Sequence, residues 1–171
     1  MSPNTEKRAP ETGYAPERAG NPFVGSTKGG RVLSAMMLPL LLLSPSDTFG
    51  VITTTGRRTG KTRRKCVRVV RHGNRVYLVS IPGEHAAWLK NIRANASVEL
   101  RLRGGTFHGL ARDPRDAEER DLARRIFCET IDPLDRVACA LHRRGRPSRQ
   151  KVKALHHKWF DRGTPLVVEL E

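Results

Sequence analysis

The stretch Thr53-Thr54-Thr55-Gly56-Arg57-Arg58-Thr59-Gly60-Lys61-Thr62-Arg63-Arg64-Lys65 constrains this chain more than any other. A short apolar β-prone segment, Phe49 to Thr53, leads into it, and another, Val67 to Val70, leads out. Two glycines between them make a turn, and the turn carries a dense set of cations. Like charges at this spacing repel, so such a turn is costly unless something anionic shares the space. Three occupants fit: the phosphate of a cofactor tail, nucleic acid, or solvent around an ordinary charged hairpin.

Gly60-Lys61-Thr62 resembles the end of a P-loop, but the pattern fails twice. The place of the required leading glycine is held by Thr55, and Gly56 leaves only three residues before Gly60. A P-loop must also open a helix, whereas Arg64 to Val70 reads as a strand. A nucleotide triphosphatase is excluded. The turn still suits phosphate, because glycines let backbone amides face an anion in a concave nest. Arg57, Arg58 and Arg63 can offer forked donors, and Lys61 a mobile charge.

The surroundings bear this out. The chain has 171 residues, room for one core, with 32 Lys+Arg against 17 Asp+Glu and a net charge of +15. That surplus favours anionic partners without choosing among them. Three cysteines, Cys66, Cys128 and Cys139, show no CxxC spacing, so neither zinc nor a redox dithiol is indicated and a reducing, cytoplasmic setting is expected. His156-His157 point apart on any regular element and lack a carboxylate cluster, so no metal is assigned. The apolar run Val32 to Leu43 is too short to span a bilayer and lacks a following cleavage site, which argues against secretion.

Residues 1–30, with several prolines and no apolar period, read as a disordered or loosely docked arm. A single domain is expected over 31–171. It opens with a helix, Arg31 to Ser44, interrupted by Pro39. This helix reads as part of the core; the rival reading lays it on the inner face of a membrane or over an apolar site. Strands are expected at Phe49–Thr55, Arg64–Arg71, Arg75–Ile81, Ser97–Arg103 and Thr106–Arg112, with turns at His72-Gly73-Asn74 and Gly104-Gly105. Val98, Leu100 and Leu102 alternate with Glu99, Arg101 and Arg103, the period of a strand buried on one side.

A short helix, Ala86 to Ala94, bears Trp88. A helical insertion at about 115–160 follows, with Asp116 as N-cap of its first helix, a second helix from Leu134, and a basic stretch, Arg143 to Lys153, leading to a helical turn at Val152 to Phe160. Pro165 to Leu170 closes the chain as a strand. The fold class is therefore mainly β with rim helices, a small barrel.

Read in order, Ile52 to Arg63, Val76-Tyr77-Leu78-Val79-Ser80 and Trp88-Leu89-Lys90-Asn91-Ile92-Arg93-Ala94-Asn95 resemble the deazaflavin-dependent nitroreductase family of actinobacteria. The likeness extends over about Val51 to Phe127 and the terminal Thr164 to Val168 segment. It implies a split β-barrel of the flavin-reductase and pyridoxamine-phosphate-oxidase type. It also implies coenzyme F420, a deazaflavin with a phosphate and an oligoglutamate tail, rather than FMN.

By this resemblance Arg57, Arg58, Thr59, Gly60, Lys61 and Arg63 hold the tail. The backbone at Cys66 and Val67 lies along the ring, and Ser80, Trp88 and Asn91 complete the pocket. Cys66-Val67 stands where the family has Pro-Leu, and Pro82 to Ala87 is shorter than the family's loop, so the departures fall at the ring end. The implied activity is hydride transfer from the reduced deazaflavin to a small, apolar, electrophilic substrate. Tyr77, His85 and Ser80 are candidates to supply the proton, and no catalytic residue is assigned.

Three other readings remain. A redox-silent deazaflavin binder is compatible with the altered ring side. A nucleic-acid module would use Arg143 to Arg149, but few aromatics interleave with the cations, so no specific nucleic acid is expected. Peripheral membrane contact through 31–44 could coexist with the enzyme, as could a homodimer.

Overall fold

Short β-prone runs parted by turn residues form six strands: β1 (Phe49–Thr55), β2 (Thr62–His72), β3 (Arg75–Ser80), β4 (Ser97–Leu102), β5 (Gly105–Arg112) and β6 (Thr164–Leu170). The computed structural model describes residues 27–142 and 146–171. The strands are antiparallel and close in the order β1-β2-β3-β6-β5-β4. The fold is the split β-barrel expected from the sequence. Gly73 and Gly104, at φ 64° and 94°, make the two hairpin turns in backbone that glycine enters without steric cost.

Five helices accompany the barrel among the described residues: α1 (Thr27–Leu43), α2 (Ala87–Ala94), α3 (Ala117–Glu129), α4 (Pro133–His142) and α5 (Arg149–Arg162). None is long and apolar enough to cross a membrane. Asp116 caps α3 as expected, its carboxylate accepting the Glu119 amide at 2.7 Å.

Two apolar cores share one set of strands. Ile52, Val69, Val76, Leu78, Val98, Leu100, Leu102, Leu166 and Val168 fill the barrel interior, and Leu89 and Ile92 of α2 plug one end. The other core lies outside, where Val70, Tyr77, Val79 and Val167 meet Phe127 of α3 and Val152, Leu155, Trp159 and Phe160 of α5. This explains why Val76-Tyr77-Leu78-Val79 does not alternate in polarity: β3 is buried on both faces. In β4, by contrast, only Val98, Leu100 and Leu102 are buried.

Three expectations need correcting. The arm expected over 1–30 lies outside the described residues except at Thr27–Gly30, which already belong to α1, and this helix runs on through Pro39. α1 is also less of a core helix than its composition suggests. Leu41 is buried, but Val32, Met36, Leu40 and Leu43 are exposed along one stripe. Lastly, the helical turn expected at Val152 to Phe160 is the middle of a 14-residue helix, α5, capped by the Ser148 hydroxyl accepting the Lys151 amide. The run of cations hid an apolar stripe, Val152, Leu155, His156, Trp159 and Phe160, at helical spacing. Arg143, Arg144 and Gly145 of the basic stretch lie outside the described residues.

A buried ion cluster ties the helical layer to the barrel. Arg68 of β2 reaches Asp135 of α4 at 2.7 Å through Nε and donates to the carbonyls of Phe127 and Thr130 at 2.8 and 2.7 Å. Its guanidinium also lies 4.4 Å over the Phe127 ring. Asp135 is fully buried and also accepts from the Thr48 hydroxyl at 3.0 Å and the Asp132 amide at 2.9 Å, with His156 Nε2 3.2 Å away. Burial works to raise its pKa, but His156, Arg68 and the Asp132 amide overcome that and hold it well below the usual carboxylate range. At the barrel's far edge, hydrogen bonds from Arg112 hold Glu119 at about 2.

Both carboxylates have folded-state pKa values below their unfolded ones. Their contribution to stability is therefore complete above about pH 5 and is lost as the pH falls towards about 2. Asp135→Asn leaves Arg68 buried without its counter-charge, a loss of about 3–5 kcal/mol that lowers the melting temperature by about 6–20 °C. It also flattens the acid arm of the stability profile. Thermal unfolding by circular dichroism between about pH 2 and pH 7 measures both effects, and an unchanged melting temperature would show the pair to be dispensable.

Candidate functional site

β1 and β2 stay in register up to Thr55 opposite Thr62, so the cations between them sit on a closed loop of six residues. The loop is tight. The Gly56 amide donates to the Lys61 carbonyl at 2.8 Å, and the Gly56 carbonyl accepts the Thr59 and Gly60 amides at 3.1 and 2.7 Å. A side chain at Gly56 would come within 3.0 Å of the Lys61 carbonyl, and Gly60 has φ 66°, so both glycines serve the geometry. The element is strand–turn–strand, and no helix begins here.

Cations crowd this loop and the start of β2, where Arg57, Arg58, Lys61, Arg63 and Arg64 fall within a few residues of one another. Arg68, Arg93, Arg103, Arg112, Arg115 and Arg124 each pair with a carboxylate. Arg58, Arg63, Arg64 and the Lys61 ammonium are exposed and have no carboxylate partner among the described residues. Arg63 lies in register with Thr54, sharing its face of the sheet. Arg57 faces α2: its amide and its Nη1 both donate to Asn91 Oδ1, at 3.2 and 3.3 Å, and Nη1 also reaches the Ala87 carbonyl at 3.5 Å. Asn91 Nδ2 in turn donates to the buried Thr54 hydroxyl at 3.2 Å. The structure thus brings Arg57, Arg58, Thr59, Gly60, Lys61, Arg63 and Asn91 to one end of the barrel. Thr54 belongs with them, and sequence reasoning passed over it; its place next to the end of β1, on the buried face, was the available signal.

The remaining predicted residues are arranged differently. Trp88 is partly buried against the barrel core. Ser80 is fully buried and its hydroxyl donates to the Gly83 carbonyl at 2.9 Å, shaping the 3-10 turn Gly83–His85 before α2. Val67 points into the barrel interior and Cys66 outward. β2 is 11 residues long and β3 only 6, and their pairing begins at Val69, so Thr62–Arg68 has one edge without a neighbouring strand. α1 covers part of that edge. The Cys66 amide donates to Ser34 Oγ at 3.3 Å, and its thiol lies 3.4 Å from the Ser34 carbonyl. Burial pushes the Cys66 thiol up by more than the Ser34 contact and Lys65 pull it down, so it is held as a thiol and not a reactive thiolate.

A cavity of about 670 Å³ lies at the opposite end of β1, among Leu43–Asp47, Arg101–Gly105 and Asp132–Leu134. On its rim Arg103 is already paired with Asp47 at 2.9 Å. Five cations, Arg57, Arg58, Lys61, Arg63 and Arg64, crowd the turn and the strand start after it with no carboxylate partner among the described residues, and the turn is therefore the candidate site. Among the described residues no three His, Cys, Asp or Glu are placed to hold a metal ion.

A family model described as F420H(2)-dependent quinone reductase matches residues 23–136, from before α1 into α4. Among solved structures, one described as a domain-swapped dimer is 20% identical, with 84% of this chain and 94% of that chain covered and a TM-score of 0.52. A heme binding protein from Mycobacterium smegmatis is 13% identical over 77% of this chain and 48% of that one, with a TM-score of 0.50. A structure titled F420-H2 Dependent Reductase (FDR-A) is 21% identical over 72% of this chain and 94% of that one, at a TM-score of 0.48. At these identities the solved structures speak to the fold alone. The family model reaches further, since its span contains the cationic turn, the open edge of β2 and α2 together. The chain belongs to the F420H(2)-dependent quinone reductase family.

Proposed function

We propose that this protein is an F420-dependent oxidoreductase whose cationic turn holds the phosphate-bearing tail of the coenzyme. The supporting observation is the clustered charge: Arg58 and Lys61 on a glycine-shaped loop, and Arg63 and Arg64 at the start of β2, have no carboxylate to answer them among the described residues. A tail carrying phosphate and carboxylates meets that charge with short, charge-assisted hydrogen bonds. FMN has the phosphate but not the carboxylates.

A reduced deazaflavin supplies a hydride for an electrophilic acceptor, here a small apolar one. The protein's own contribution is to bind, orient and exclude water. Arg57, Arg58 and Arg63 give forked donors, Lys61 a point charge, and the Thr59 and Gly60 backbone the floor of the loop. The edge of β2 at Cys66 and Val67 offers backbone to the ring, and Trp88 of α2, packed against the barrel core, closes the pocket. Of the three candidate proton donors, Tyr77 is buried in the outer core and the Ser80 hydroxyl is committed to Gly83. His85 alone of them is exposed, so the proton comes from His85 or from solvent.

One observation favours a second reading, a redox-silent deazaflavin binder. The Cys66 amide that would face the ring already has a partner in Ser34. For the ring to lie along this edge, α1 must give up that contact. The exposed stripe Val32, Met36, Leu40 and Leu43 on α1 leaves room for a homodimer, the state named for one of the similar structures.

Titration with oxidised F420, followed by its fluorescence, tests the reading. Arg57→Ala with Arg63→Ala is expected to weaken binding at least about a hundredfold, each lost charge-assisted contact being worth about 1.5–3 kcal/mol. Undiminished affinity in that double variant would sink the assignment. Ser34→Ala removes the acceptor held by the Cys66 amide, so F420 affinity should rise about two- to tenfold, the span of one neutral hydrogen bond. Tight binding with no oxidation of reduced F420 by quinone or nitro acceptors would decide for the silent binder.

A further inference from the structure

Resting on the reading of the turn as an anion clamp, we propose that Asn91 is a positioning residue. It holds Arg57 in its binding posture without touching the ligand, and the buried Thr54 hydroxyl is its anchor. The carboxamide has little left to offer a ligand. Its oxygen accepts two hydrogen bonds from Arg57, at 3.2 and 3.3 Å, and its nitrogen is engaged by Thr54 at 3.2 Å. Asn91 is also buried, as is Thr54. The orientation of the amide follows from chemistry: a backbone N–H and a guanidinium N–H can only donate, so the atom facing both is the oxygen.

What Asn91 spends on Arg57 is only part of that residue's capacity. Nη1 is engaged, by Asn91 and by the Ala87 carbonyl, while Nε and Nη2 have no partner among the described residues. The guanidinium is therefore aimed but not satisfied. Two further links make the aim rigid. Thr54 sits in β1 with Arg63 as its register partner in β2, and Leu89 and Ile92 lock α2 into the end of the barrel on either side of Asn91. The chain Thr54–Asn91–Arg57 thus carries the geometry of the barrel to the first cation of the turn.

The choice of a carboxamide also has a physical reason. An aspartate at position 91 would hold Arg57 at least as firmly, as Asp135 holds Arg68. It would also cancel the charge that the clamp needs. A neutral acceptor orients the guanidinium and leaves its positive charge for the ligand, which is preorganisation without neutralisation.

Inorganic tripolyphosphate, titrated calorimetrically into the full chain, tests this independently of the ring. Asn91→Ala and Arg57→Ala should each weaken binding at least about tenfold, the loss of one charge-assisted contact. The two losses should not multiply: in the Arg57→Ala background, Asn91→Ala should cost almost nothing further. Thr54→Val, nearly isosteric, should show a smaller loss that also vanishes in that background. Asn91→Asp should keep the wild-type melting temperature yet bind tripolyphosphate as poorly as Asn91→Ala.

Losses that multiply, or full affinity in Asn91→Ala or Asn91→Asp, would overturn the proposal. If wild-type protein binds tripolyphosphate but not F420, the coenzyme assignment fails and the positioning role stands. If it binds neither, both fall.

Discussion

More than half of one strand in this barrel lacks a neighbouring strand on one edge, and the rest of the site depends on that. β2 outlasts β3 by five residues and pairs with it only from Val69 onward, so the edge from Thr62 to Arg68 must be satisfied by something other than a strand. An open edge is a liability unless it is covered or used. Here α1 covers it at Cys66, four strand residues beyond the cationic loop. On the reading proposed above, ligand recognition, the placement of α1 and the choice between an active and a silent protein all concern the same few backbone groups.

Arginine is used in two opposite ways on this strand. Arg68 is buried, and its guanidinium is consumed by Asp135, two carbonyls and an aromatic face. It is structural cement between barrel and helices. Five residues earlier Arg63 is exposed and unanswered. The register explains the contrast. Arg68 points outward to meet the helical layer, whereas Arg63 shares the face of Thr54 at the barrel's end, where α2 offers an amide and no carboxylate.

Much of this was legible in the sequence. The glycine spacing of the turn, the alternation of β4, the two hairpin glycines and the Asp116 cap gave strands and helices whose ends the structure moves by only a few residues. α5 was underestimated because its cations drew attention away from the apolar stripe beneath them. At the site, the cations could be read directly, since a run of like charges on a turn is a local signal. Their positioning could not. That Asn91 would reach back to Thr54, or that Ser34 would meet Cys66, depends on contacts between residues about thirty to forty positions apart, and nothing in the local pattern encodes them. Asp135 was invisible for the same reason, as its partners lie on β2 and in the loop before β1.

The double burial of β3 reaches beyond packing. Val76 and Leu78 belong to the barrel interior, while Tyr77 and Val79 belong to the outer core under α3 and α5. A strand whose two faces complete two different cores cannot be held by either alone. Peeling away the helical layer would expose an apolar face at the centre of the sheet. The helices between β5 and β6 are thus no appendage: melting and refolding of barrel and helices are coupled into one cooperative event. Sequence variation in α3 and α5 is accordingly felt at the rigidity of the barrel that frames the turn, far from any residue that meets a ligand.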